Sequence, residues 1–356
     1  MFPRARLFAF LTLLATCAAP PELPESQQVT VPTGPGAWTL DTAADSLSRK
    51  SCPDTTAYDA PLSIAVSATP VEFGPEAVAA ERLPKGATFA GGWELTSDNE
   101  AFGGLSDLAL DDAGNLLTVS DDGTFVWINL ANGAPDGTGE VAYMLGADGK
   151  LLQGKALGDA EGLAVRDGLA IVSFERTHRI SAFALHACGA AAREARISTL
   201  PGTYAGRVVD ENRGAEALTV TPEGNILFGF ETVEGGVSPL GAVTAPDTAG
   251  WTGDMAPNPS GYAFVGFDTV KAADADKTFW LFRSYDPIRG NRNVLSWNGG
   301  KTDIVITRPL ITDNFEGITA QDLGNGVTRI WIISDDNFNP QQRTLLLAFD
   351  IAAPSE

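Results

Sequence analysis

The chain has 356 residues, with 24 Lys and Arg against 45 Asp and Glu, a formal net charge of −21 and only 2 His. Its 44% hydrophobic content excludes a disordered chain and suits a sizeable core, while so large an acidic excess excludes charge-driven binding to nucleic acid or to an anionic membrane surface. Two histidines cannot build a three-histidine metal centre, and 38 Gly with 22 Pro favour turns and short strands over long helices.

Residues 1–17 read as an export signal. Arg4 and Arg6 precede an apolar run, Leu7 to Leu14, that is too short to span a bilayer. The run ends in Leu14-Ala15-Thr16-Cys17, which resembles a bacterial lipobox, with Thr where Gly or Ala is usual. The expectation is a lipoprotein of the periplasm or cell envelope, attached to the membrane through Cys17 alone. The alternative is a secreted chain cleaved near Ala18 or Ala19. Residues 18–60, rich in Pro, Ser, Thr and Ala, read as a tether. Cys52 and Cys188 remain as an even pair in an oxidising compartment, and the sequence leaves their pairing open.

From residue 61 to 352 the chain repeats itself. Gly104-Leu105-Ser106-Asp107-Leu108, Ala160-Glu161-Gly162-Leu163, Ala215-Glu216-Ala217-Leu218 and Phe315-Glu316-Gly317-Ile318 share one pattern, with Ser106, Glu161, Glu216 and Glu316 aligned. The spacing is about 50 residues, and the wide last gap predicts a degenerate unit near residue 266. Each motif leads into a short strand, an Asp/Asn/Gly turn such as 111–115 or 166–168, and a β-branched or aromatic strand such as Leu116 to Ser120 or Ala170 to Phe174. A third strand follows in Thr124 to Leu130, Arg179 to Leu185 and Thr344 to Ile351. Antiparallel strands repeating at this period predict an all-β propeller. Residues 62–350 give six blades as the expectation, with five or seven as the neighbouring alternatives, and the ring closes by pairing Ala87 to Thr96 with the C-terminal blade. Residues 235–261 read as a long loop.

In such a blade the first strand lines the channel and the second returns to the same rim. The residues there are acidic twice over: Glu161, Glu216 and Glu316 at the start, and Asp121, Glu175, Glu231 and Asp335 at the return. Any one of these acids could cap a turn. Repeated at equivalent positions, they predict one carboxylate-lined mouth, whose mutual repulsion a bound cation would relieve. Oxygen-only ligands without nearby His or Cys select Ca²⁺ over softer metals. The expected metal ligands are Asp121, Glu161, Glu216, Glu231, Glu316 and Asp335, with Glu161, Glu216, Glu316 and Asp335 also the expected catalytic groups.

The Gly103-Gly104-Leu105-Ser106, Asp159-Ala160-Glu161-Gly162 and Asn314-Phe315-Glu316-Gly317 blocks resemble the bacterial phytase-like family, whose domain is called "esterase-like activity of phytase". So does the ending Ser334-Asp335-Asp336-Asn337-Phe338-Asn339-Pro340-Gln341-Gln342-Arg343-Thr344, and together the likeness spans about residues 90–351. It implies an exported propeller that hydrolyses phosphate or other esters with calcium. Two departures stand out. Ser106 replaces a Glu, and Phe282-Arg283 stands where relatives show Glu-Arg.

The first functional expectation is therefore a Ca²⁺-dependent hydrolase of small phosphate esters, acting as a monomer, with Arg176, Arg213 and Arg343 holding the phosphate oxygens. A Ca²⁺-dependent lactonase or carboxylic esterase is the related alternative. A non-catalytic envelope-binding propeller is the alternative outside enzymology. Serine nucleophile chemistry is disfavoured, because the chain has no G-x-S-x-G.

Overall fold

The computed structural model describes residues 22–352 apart from 234–235, 272–274 and 298. The leader 1–17 and Cys17 lie outside the described residues. Five antiparallel sheets form the blades of a propeller. Their innermost strands are Leu105–Leu110, Ala160–Arg166, Ala217–Val220, Ala263–Lys271 and Phe315–Gly324, and each packs against its two neighbours around the axis.

The count is five rather than the six expected. Residues 62–96 have the length of a blade but do not form one. Leu62–Ala65 instead pairs with Ala134–Tyr143 at the outer edge of blade 1. Ser67–Pro70 and Ala87–Thr96 join blade 5, where Ala87–Thr96 pairs with Thr344–Ala352 and closes the ring as the sequence indicates. One short segment thus covers the exposed edges of two blades, edges that would otherwise be open to pairing with another chain. Blade 4 is the degenerate unit, with Ala263–Lys271 innermost. The stretch read as a loop, 235–261, contains the two outer strands of blade 3, Pro239–Ala245 and Thr248–Met255.

Within the stretch read as a tether, the described residues are packed. Leu40–Ser51 is a helix with a capping box in which the Thr39 and Thr42 side chains serve each other's backbone N–H. Leu40 and Leu47 on its inner face join Leu23 in the core formed by blades 2 and 3. Asp41 holds Arg166 of blade 2 through two hydrogen bonds of 2.6 and 2.8 Å. A Cys52–Cys188 disulfide then fastens the segment to blade 2.

The Glu-Gly pairing of the repeat has a packing cause. A Cβ on Gly162 would lie 2.7 Å from Leu218 Cβ of blade 3, and one on Gly317 would lie 2.7 Å from Asp107 Cα of blade 1. Gly266 meets Ile318 of blade 5 in the same way, at 2.8 Å. The innermost strands come closest at this position, so bulk there would push the blades apart. Asp107 occupies it in blade 1, and its carboxylate accepts the backbone N–H groups of Leu108 (2.8 Å), Leu163 of blade 2 (2.7 Å) and Ile318 of blade 5 (3.1 Å). Asp268 of blade 4 plays a like part, accepting from Thr219 of blade 3 (2.9 Å) and from Thr319 (3.1 Å) and Ala320 N (2.8 Å) of blade 5. Two carboxylates, the buried Asp107 and the partly buried Asp268, therefore tie all five innermost strands together across the axis.

Candidate active site at the channel mouth

The repeated acid sits where the pairing of the first two strands slips. The register shifts between Leu105 and Asp107, between Ala160 and Leu163, between Phe264 and Gly266, and between Phe315 and Gly317. A bulge re-aims the residue inside it, and those residues are Ser106, Glu161, Val265 and Glu316, with Glu216 just ahead of its strand in blade 3. The second strands return Asp121, Glu175, Glu231, Arg283 and Asp335 to the same rim. Blade 4 thus breaks the pattern twice, with Val265 for the first acid and Arg283 for the second.

The acids converge. Glu161 is pushed well above the usual carboxylate range by burial and then by the nearby charges of Glu216, Glu175, Glu316 and Asp159. Burial, followed by Glu231, Glu175 and Glu316, does the same to Glu216. Glu175 is raised to about 7, mainly by burial, although it accepts a hydrogen bond from Gly214 N. Asp335 is raised to about 8 by burial and by Glu316.

Cations of the chain itself answer part of this charge. Arg283 ion-pairs with Glu316 and, at 3.2 Å, with Glu231, and it donates to Asn314 Oδ1 at 2.8 Å. On the far side, Lys155 ion-pairs with Asp121 and lies 3.2 Å from Asp159 Oδ1. Arg176 donates to Asp159 Oδ2 at 2.9 Å. The six expected metal ligands therefore meet at one mouth without equal standing, because Asp121, Glu231 and Glu316 each have a side-chain cation. The tightest group of possible ligands is Asp159, Glu161 and Glu175, which can bring one oxygen each within 4.8 Å of one another. Asp159 Oδ1 is buried and accepts no hydrogen bond. Three carboxylate oxygens fit a hard divalent cation, Ca²⁺ above others, but Asp159 already has Lys155 and Arg176 beside it, and Glu161 is the member of the group whose neighbouring charges are all acids.

Of the arginines expected to hold substrate, Arg176 is at the mouth. Arg213 is exposed and donates to Thr232 Oγ1 at 3.1 Å. Arg343 lies 3.4 Å from Asp313 and, with Arg283 and Arg308, lines a cleft of about 810 Å³ opening beside the mouth. His178 packs against Phe230, and burial lowers its pKa.

Sequence reasoning did not single out Asp159, Lys155 or the counter-ion role of Arg283. Asp159 stands two residues before Glu161 as Asn314 stands two before Glu316, so the repeat carried a signal for it. Lys155 opens the short helix Lys155–Gly158 in the connection between blades 1 and 2, where no repeat register exists to flag it.

Residues 100–252, which supply Asp159, Glu161, Glu175, Glu216 and Glu231, match the phytase-like family model described as esterase-like activity of phytase. No curated protein matches the chain. Among solved structures, the PQQ-bound aldose sugar dehydrogenase of Streptomyces coelicolor is similar at 10% identity and TM-score 0.39, over 75% of this chain and 99% of that one. A Cellvibrio cellulosa α-L-arabinanase mutant is similar at 10% identity and TM-score 0.38, over 67% and 90%. No chemistry is read from either. Residues 100–252 are the part of the chain that the phytase-like family model matches, and Arg283, Glu316 and Asp335 of the mouth lie beyond it.

Proposed function

We propose that the mouth is the active centre of an exported, Ca²⁺-dependent hydrolase of small phosphate esters. The observation that carries this reading is that one mouth holds both signs: the Asp159, Glu161 and Glu175 cluster on the blade 2 side and, across from it, Arg283 paired with Glu316 at the edge of a cleft that Arg308 and Arg343 also line. Asp159, Glu161 and Glu175 would hold the ion, with Glu216 next to them. When bound, it neutralises the carboxylates, polarises a phosphoryl oxygen and lowers the pKa of a water.

The chain's own groups do the rest. Without a positive surface an acidic mouth repels a phosphate, and the cleft supplies that surface. Arg308 and Arg343 meet the non-bridging oxygens, for which planar guanidinium groups are suited. The amides of Asn291, Asn337 and Gln342 also line the cleft and offer donors to ester and hydroxyl oxygens. Asp335, raised to about 8, keeps its proton at neutral pH and can give it to the leaving oxygen. Glu316 beside it is held in place by Arg283 and by Asn314 Nδ2 at 3.1 Å. In the periplasm or cell envelope the Cys52–Cys188 disulfide would persist.

The test is turnover of p-nitrophenyl phosphate, bis-p-nitrophenyl phosphate, phytate and short acyl esters after EDTA treatment and Ca²⁺ return. The reading expects phosphate-ester turnover that Ca²⁺ restores and that Glu161→Gln abolishes, while Glu223→Gln in an exposed turn leaves it unchanged. Turnover confined to acyl esters would replace it with the carboxylic-esterase alternative. A Ca²⁺-induced stabilisation with no turnover on any ester would replace it with the binding-module alternative.

A further inference from the structure

A second cavity, of about 320 Å³, lies between blades 1 and 2. It opens at the end of the propeller away from the acidic mouth, where the turns at Asp111–Ala113 and Gly168 close the inner hairpins. Its floor is apolar, made by Leu117, Trp127, Val165 and Leu185. Tyr58 and Pro61 of the N-terminal segment form one wall. That wall is fixed: Asp59 N donates to Cys188 O at 3.0 Å, Ala190 N donates to Asp59 O at 2.7 Å, and the Cys52–Cys188 disulfide lies alongside.

The charge around this floor has one sign. Among the described residues Asp111, Asp112 and Glu140 line the cavity together with His186, whereas no Lys or Arg does. Asp111 spends one oxygen on its own turn, accepting from Ala113 N at 2.9 Å and Asn115 N at 2.8 Å. An anion would be repelled. A bare metal ion would find carboxylates on the rim but hydrocarbon on the floor, which cannot complete an oxygen shell. A neutral apolar ligand would leave the carboxylates unused. The ligand that satisfies rim and floor together is an organic cation, its charge near the acids and over the Trp127 and Tyr58 rings, its alkyl groups on the floor. The volume is at the lower end of small-molecule sites.

We propose that the cavity between blades 1 and 2 is a binding site for small organic ammonium ions, separate from the mouth. It does not rest on the hydrolase reading. Calorimetric titration of the folded chain with choline and with its neutral isostere 3,3-dimethyl-1-butanol tests it. Choline is expected to bind at least about tenfold more tightly than the alcohol. Tyr58→Ala and Glu140→Gln should each weaken choline several-fold; both side chains are at least partly exposed, so both variants should fold. EDTA should leave choline binding unchanged. Equal affinity for the two isosteres, no heat with choline at millimolar concentration, or affinity unchanged in both variants would overturn the proposal.

Discussion

Replacing Arg283 with Gln removes the cation that the chain itself supplies to the mouth. The guanidinium pairs with Glu316 and, at 3.2 Å, with Glu231, and it donates to Asn314 at 2.8 Å. Removing one partner of a fully buried ion pair costs ~3–5 kcal/mol. The Arg283 side chain is 25% exposed, so water reaches the vacated carboxylates and the expected cost falls to ~2–3 kcal/mol. Burial raises Glu316 and Glu216, and Arg283 holds both down. Without it their folded pKa values climb further above the unfolded value of about 4.3. An acid raised in the folded state contributes its full stability below the unfolded pKa and loses it as pH rises through the folded one. The deficit of Arg283→Gln is therefore smaller at pH 5 than at pH 8. By thermal unfolding at pH 8 the loss should be roughly 3–4 °C. Adding Glu316→Gln should recover a large part of it, because one stranded charge is gone. A loss of equal size at both pH values, or no recovery in the double variant, would refute the counter-ion role.

The same sign applies to the metal-free mouth. With Glu175 raised to about 7 and Asp335 to about 8, protons compete with a cation at pH 6, so Ca²⁺ should raise Tm more at pH 8 than at pH 6; a larger shift at pH 6 would contradict the ligand assignment. Cys52→Ser opens a covalent loop spanning 136 residues of sequence, and chemical denaturation should show a loss of about 4–5 kcal/mol. Asp107→Ala strands the N–H groups of Leu163 and Ile318 in the core and should cost ~3–5 kcal/mol, with Asp107→Asn milder because it keeps one acceptor oxygen.

The propeller and its acidic rim were legible because both follow from the repeat. Glu161, Glu216 and Glu316 could be aligned from their neighbours, and a motif recurring at one blade per period must return its side chains to one place. The ring closure through Ala87–Thr96 was legible as a strand left over at the N-terminus. The blade number was not. Residues 62–96 have a blade's length, and sequence pattern does not tell an edge strand added to another sheet from a new sheet. The packing of residues 22–60 was hidden for a related reason: a single helix with Leu40 and Leu47 inward looks like a polar linker when most of its other positions are Ala, Ser and Asp. Arg283 was visible as a departure from the family pattern, but its meaning depends on Glu231 and Glu316, 52 and 33 positions away, coming within reach through the ring.

That departure gives the mouth a direction. With an acid at every repeat position the rim would be uniformly negative, and any ion or anion would meet the same field from all sides. Blade 4 carries Val265 and Arg283 instead, so the Glu231–Glu316 side is neutralised from within and stands next to the Arg308 and Arg343 cleft. Blade 2 keeps Glu161, whose neighbouring charges are all acids among those that shift it. One side of the mouth is thus left for a cation and the other for an anion. In the proposed reaction that polarity orients the ester, its phosphoryl group drawn between the two and its remainder lying along the cleft toward Tyr285 and Ile288, which are exposed there. Symmetry would place the site on the propeller axis; in the proposed reading the loss of one blade's acids moves it off the axis, to the boundary between the Glu161 side of the mouth and the arginines.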